Sequence, residues 1–181
     1  MSAEQIGLLA LAAVLMFWAV GAYNRLVQLR SAIAGAWAKV DDALRQRSAA
    51  ADALQAALRE PLAAEQGALD AWQAALAEAA RAASALGAKP VVAAHAVAWV
   101  AAEAALSAAA SRVFALLEQQ IELRQPGAVA SQVQVWNEAS QRLRFARQLF
   151  NEVAAPYDDA IATFPTRLLV RAFRFKAAGR L

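Results

Sequence analysis

The sequence predicts an all-α protein in which an N-terminal transmembrane helix continues into an antiparallel up-down-up-down four-helix bundle. Three observations lead there. The 181 residues are 60% hydrophobic, are rich in alanine and contain only 7 Gly and 5 Pro; alanine favours helix because it has no side-chain entropy to lose. An uncharged run opens the chain. Four later segments repeat their apolar residues at spacings of three and four, the period of a helix with one buried stripe. The expected division is an anchor over 1–23, a bundle over 24–165 and a basic amphipathic tail over 166–181.

The anchor is "IGLLALAAVLMFWAVGAY", Ile6 to Tyr23, 18 residues without a charge and close to the roughly 20 that cross a bilayer core as helix. Phe17, Trp18 and Tyr23 lie toward its far end, where aromatic rings favour the interface. The "VGA" at 20–22 has the small residues of a signal-peptide cleavage site. However, the leading "MSAEQ" has no Lys or Arg and the run is longer than a usual signal's apolar stretch, so the anchor is expected to stay uncleaved. Arg25, Arg30 and Lys39 follow the span, and Glu4 is the only charged side chain before it. That bias predicts a single-pass protein with its N-terminus outside and its bundle in the cytoplasm.

In the first helix the stripe is Leu26, Arg30, Ile33, Trp37, Val40, Leu44, Arg47, Ala51, Leu54 and Leu58. Nothing from Tyr23 to Arg59 breaks it, and Pro61 ends it. A second helix is expected over 62–86 through Leu69, Trp72 and Leu76, closing at Gly87 before Pro90. A third runs over 91–124 through Trp99, Leu106, Val113 and Leu117, and stops before Pro126-Gly127. The fourth carries Trp136, Ser140, Leu143, Arg147, Phe150, Ala154, Tyr157, Ile161 and Phe164, and Pro156 should bend it without interrupting the pattern. Short connections favour up-down-up-down packing. If the first helix leaves the membrane near Asn24 and the fourth returns near Phe164, residues facing one another have numbers totalling about 188, since both helices rise equally per residue. Asp41 then lies level with Arg147, and Arg30 with Tyr157 and Asp158. These five, with Trp37 and Asn151, are the candidate register residues, the polar ones pairing across the seam.

The net charge of +3 is a property of the tail. Arg167, Arg171, Arg174, Lys176 and Arg180 follow Pro165 with no acid among them, and the rest of the chain has a slight acidic excess. This argues against a nucleic-acid-binding body and for a tail that meets an anionic surface. Those five residues, with Phe173 and Phe175, are the candidate contacts to anionic lipid. Cysteine is absent, which excludes disulfide and thiolate chemistry, and a single histidine argues against ordinary zinc sites.

Asp158-Asp159 has the composition of an acid/base pair, but neighbours on a helix point about 100° apart and no nucleophile or metal ligand accompanies them. His95 in "VVAAHAVAW" would sense pH only if buried against a carboxylate. Trp37, Trp72, Trp99 and Trp136, one per helix, could form a ligand cage; packing that fills what alanine leaves empty is the simpler reading. Asp41-Asp42 with Arg45 supplies an i,i+4 pair on a solvated face. With no Gly-rich phosphate loop, nucleophile elbow or metal motif, neither an enzyme nor a cofactor is expected.

Two blocks carry a family resemblance. "YNRLVQLRSAIAGAWAKVDDALRQR" (23–47) follows the span, and "RLRFARQLFNEVAAPYDDAIATFP" (142–165) precedes a closing "FRFK". Tyr23, Asn24, Leu26, Val27, Leu29, Arg30, Ala36, Trp37, Val40, Asp41, Leu44 and Arg47 in the first block resemble the LemA family of bacterial membrane proteins. So do Arg142, Leu143, Ala146, Arg147, Phe150, Asn151, Tyr157, Ile161, Phe164, Pro165, Phe175 and Lys176. The middle departs from the family pattern, and Arg174 stands where the family has Gly. The resemblance implies an anchored helical bundle at the bacterial inner membrane and supplies no catalytic residues. Two functions fit: a structural, scaffold or protein-interaction module that binds itself or another membrane protein, or a sensor that holds a small ligand or signalling partner in the bundle.

Overall fold

The computed structural model describes residues 2–120, 127–173 and 175–181, without the side chains of 168, 169, 171 and 172. Its elements are α1 (Ala3–Leu58), α2 (Gln66–Ala88), α3 (Ala93–Gln119), α4 (Ala128–Ala162) and the short α5 (Thr166–Phe173). There is no strand among the described residues. The architecture is the expected one, a long apolar N-terminal helix running into a bundle of four helices.

Helix α1 starts on a capping box: the Ser2 hydroxyl accepts from the Gln5 amide at 3.4 Å, and the Gln5 side chain accepts from the Ser2 amide at 3.0 Å. Over its 56 residues the helix extends roughly 84 Å, at about 1.5 Å per residue. Its first four turns, to Phe17, are exposed although apolar, with Phe17 at 73%, and Trp18, Ala19 and Ala22 beyond them are half-buried. Leu26 is buried, the expected stripe position Arg30 is exposed, and from Ile33 onward a side chain is buried every third or fourth residue.

Pro61 lacks an amide donor, and the chain turns through a single 3-10 turn at Ala63–Glu65 before α2 begins, four residues later than expected. Leu62 is buried all the same. At the far end of α2 the Trp37 indole lies over Gly87, where an added Cβ would stand 2.6 Å from Nε1. Helix α3 begins two residues later than expected and ends in extended backbone at Gln120; the rest of the expected span, 121–124, lies outside the described residues. Helix α4 continues through Pro156. The Phe164–Pro165 peptide between α4 and α5 is cis.

Helix α1 packs chiefly on α4, and α2 on α3. The register of the first pair shows at Arg142, which donates to the Gln46 side chain at 3.1 Å; these two numbers total the expected 188. The core divides into two clusters. A membrane-proximal one gathers Leu26, Ile33, Trp37, Trp99, Phe150 and Tyr157. A distal one gathers Leu54, Leu58, Trp72, Leu106, Val113 and Trp136. Each is centred on rings from helices that are not chain neighbours: Trp37 meets Trp99 edge-on at 6.3 Å, and Trp72 meets Trp136 edge-on at 5.3 Å. Interiors pack at crystal-like density, and in an alanine-rich bundle such rings supply the volume.

Candidate functional site: a clamped segment and a buried charge layer

Asn151 and Asp158 are seven residues apart on α4, so they share a face at the edge of the buried stripe that holds Phe150 and Tyr157. That edge receives the segment 175–181. The Asn151 side chain binds Leu181 twice, Nδ2 donating to its carbonyl at 2.9 Å and Oδ1 accepting from its amide at 2.8 Å. The Asp158 carboxylate accepts from the Ala178 amide, and the Tyr157 hydroxyl donates to the Lys176 carbonyl, each at 2.8 Å. Arg180 closes the set by donating to the Asn151 carbonyl at 2.8 Å.

The Phe175 amide has its own partner, donating to the Val170 carbonyl at 3.2 Å; the contacts above grip main chain in a segment outside helix and sheet, where no regular ladder satisfies it. The side chains beneath them must then be small. Ala178 is buried, and a Cβ on Gly179 would overlap the Ala96 methyl and come within 3.0 Å of the Ala93 backbone. Gly179 thus fits against the first turn of α3 beside the buried Ala178, and the segment bridges α3 and α4. Burial pushes the Tyr157 hydroxyl pKa up; Arg30 opposes the shift and Asp158 reinforces it.

A charged layer separates the two apolar clusters. Arg47 and Glu103 are 8% and 9% exposed and form a bidentate pair at 2.6 and 2.7 Å. The Arg47 guanidinium lies 5.8 Å from the Trp136 ring centre, and that of Arg147 lies 5.0 Å from the Trp99 ring centre. Burial lowers the pKa of Arg147; Glu103 opposes this and Arg47 reinforces it. A guanidinium stays charged regardless.

The register candidates therefore separate into three groups. Trp37 is core. Asn151, Tyr157 and Asp158 hold the segment, and Arg30 stands beside Tyr157 in a cavity of about 570 Å³ that Lys176 also lines. Asp41 and Arg147 do not pair with one another: Asp41 binds Arg45 one turn along its own helix, while Arg147 stacks on Trp99.

The tail residues divide as well. Arg167 and Phe173 are exposed, with the Phe173 ring 5.1 Å from that of Tyr23 at the end of the apolar stretch. Phe175 is half-buried, 6.2 Å from Tyr23. Lys176 gives its carbonyl to the clamp and keeps its side chain exposed. Arg180 belongs to the clamp. The side chains of Arg171 and Arg174 lie outside the described residues.

Glu103 escapes sequence reasoning, and Arg47 is legible there as a stripe position and a family-pattern residue but not as one half of a buried pair. The signal was there, since Glu103 is in phase with Trp99 and Leu106, where a charge needs a partner. His95 is half-buried, and its Nδ1 has no hydrogen-bond partner. Among the described residues, no group of three or more His, Asp and Glu is placed to hold a metal ion.

Two helices among the described residues are long and apolar enough to cross a membrane. The apolar window of α3 is one-third buried in the bundle, whereas that of α1 is wholly exposed, which points to membrane anchoring through α1. Fold and site thus define a membrane-associated helical-bundle protein whose closing segment is strapped across two of its helices. The family model for LemA matches residues 36–180, and the chain belongs to the LemA family. No match was found among curated proteins.

Proposed function

We propose that the chain is a non-enzymatic structural module of the bacterial inner membrane, a scaffold that associates with itself, with its N-terminus outside and its bundle in the cytoplasm. The observation that carries this reading is the continuity of α1. One unbroken helix holds both the exposed apolar stretch and the stripe of the bundle, so the bundle stands at a fixed height and orientation above the lipid. Such a support suits a module that presents a surface. Helix α5 contributes at the lipid: Arg167 offers charge to anionic headgroups, and Phe173 apolar contact beside Tyr23.

The chain lacks cysteine, so a single introduced thiol reports its neighbours cleanly. Phe145 is 69% exposed on the outer face of α4. Phe145→Cys in native membranes is expected to give crosslinked dimers with a short bifunctional reagent, and the purified protein to run as an oligomer in mild detergent. A monomer by both measurements would overturn the reading. For orientation, a reporter fused after Leu181 should be active only in the cytoplasm; activity outside would reverse the assignment.

A further inference from the structure

Residues of α3 and α4, with Arg47 of α1, line a cavity of about 440 Å³. That volume is in the range of small-molecule sites. Three guanidiniums, Arg47, Arg144 and Arg147, line it against one carboxylate, Glu103. Both Glu103 oxygens are taken by Arg47, and neither Arg144 nor Arg147 has an ion pair among the described residues. Arg147 is half-buried and Arg144 exposed, so the lining carries an excess of positive charge within reach of solvent.

Two polar atoms of this lining are also unanswered: Arg47 Nε, on a side chain that is 90% buried, and the Ser140 hydroxyl, both buried without a hydrogen-bond partner. The rest of the wall combines apolar Leu106, Phe114 and Trp136 with polar Ser107, Ser111 and Asn137. We propose that this cavity binds an organic anion, a carboxylate or phosphate monoester with an aromatic or aliphatic body. Arg147 and Arg144 hold the anionic group, because a planar guanidinium fork matches its oxygens two at a time. Phe114 and Leu106 cover the body. Arg180 and Leu181 border the adjoining stretch of groove, which shares Arg144 and Arg147, so the strapped segment lies beside the bound anion. The site does not depend on self-association of the bundle.

The test is calorimetric titration of the full chain in detergent micelles at constant ionic strength, with phenyl phosphate, benzoate, inorganic phosphate and benzyl alcohol as probes. Phenyl phosphate is expected to bind saturably, inorganic phosphate about ten-fold more weakly, and benzyl alcohol not at all. Arg147→Gln should weaken phenyl phosphate about ten-fold. Because that change also removes the stack on Trp99, the exposed Arg144→Gln serves as a second variant, expected to weaken binding several-fold with no change in melting. Arg167→Gln, outside the cavity, should bind as the parent does. Absence of saturable binding by both phenyl phosphate and benzoate would overturn the site, as would unchanged affinity in both cavity variants. Equal affinity for inorganic and phenyl phosphate would overturn the organic body.

Discussion

The two halves of the bundle are held by different means. The distal half, around Trp72, Trp136, Leu58 and Val113, is apolar side chains packed against one another. The proximal half adds to its Trp37, Trp99 and Phe150 core a segment from the far end of the sequence, gripped by its main chain through Asn151, Tyr157 and Asp158. Arg47 and Glu103 stand between the halves and belong to neither. The distal half can therefore tolerate changes that conserve volume, whereas the proximal half depends on donors and acceptors at particular places. The half nearest the anchor is the one that can open locally, by release of the segment, while the rest stays folded.

The change expected to break both halves at once is Glu103→Ala. It leaves the Arg47 guanidinium buried without its carboxylate, and loss of one partner of a buried pair costs about 3–5 kcal/mol. Denaturant unfolding in detergent should show it. Replacing the pair together by Met and Leu should restore most of the loss, because an apolar layer of similar volume incurs no desolvation cost.

The next change separates the halves. Gly179→Ala sets a methyl group against Ala96 and the Ala93 backbone, an overpacking of about 1–3 kcal/mol that ejecting the segment relieves. Limited proteolysis should then cut near residues 174–181 while far-ultraviolet circular dichroism stays unchanged.

How far this division was legible in the sequence depends on the residue. The helices were, because apolar side chains at intervals of three and four allow one buried face, and the total near 188 located Gln46 opposite Arg142. The stops at Pro61 and Gly87 were legible to within a few residues; the 3-10 turn after Pro61 was not, being set by how the chain is drawn back onto Leu58. The clamp was not legible: Asn151, Tyr157 and Asp158 read as register residues, because their partners are backbone atoms of Lys176, Ala178 and Leu181, and no residue type announces a carbonyl that needs a donor. Gly179 permits the close approach of the segment to α3. Asp41 allowed two readings, and the i,i+4 pair with Arg45 on the solvated face is the one that forms, not the pair with Arg147 across the seam.

A smaller effect sharpens the proximal half through pH. Burial raises the Tyr157 pKa above its ordinary 10.0, so the folded state favours the neutral phenol that donates to Lys176. The associated stability is complete below about pH 10 and is lost as pH rises through the folded value, since the unfolded chain releases that proton first. Tyr157→Phe should remove this alkaline fall while costing about 1 kcal/mol at neutral pH for the missing hydrogen bond. The smallest effect is expected from Asp41→Ala, whose partner Arg45 is 76% exposed. Melting should move by well under 1 kcal/mol equivalent, since an exposed pair is screened by solvent.

Helix α4 holds the main chain of the 175–181 segment, and amide hydrogen exchange at Ala178 and Leu181 measures that grip directly. Both amides are predicted to be protected in the parent protein. Asp158→Ala should release Ala178, and Asn151→Ala should release Leu181, each by roughly ten-fold or more, a single hydrogen bond being worth about 1 kcal/mol or somewhat above when its acceptor is charged. Amides of α2 and distal α3 should keep their rates. Exchange at the rate of a free peptide for both amides in the parent protein would contradict the clamp.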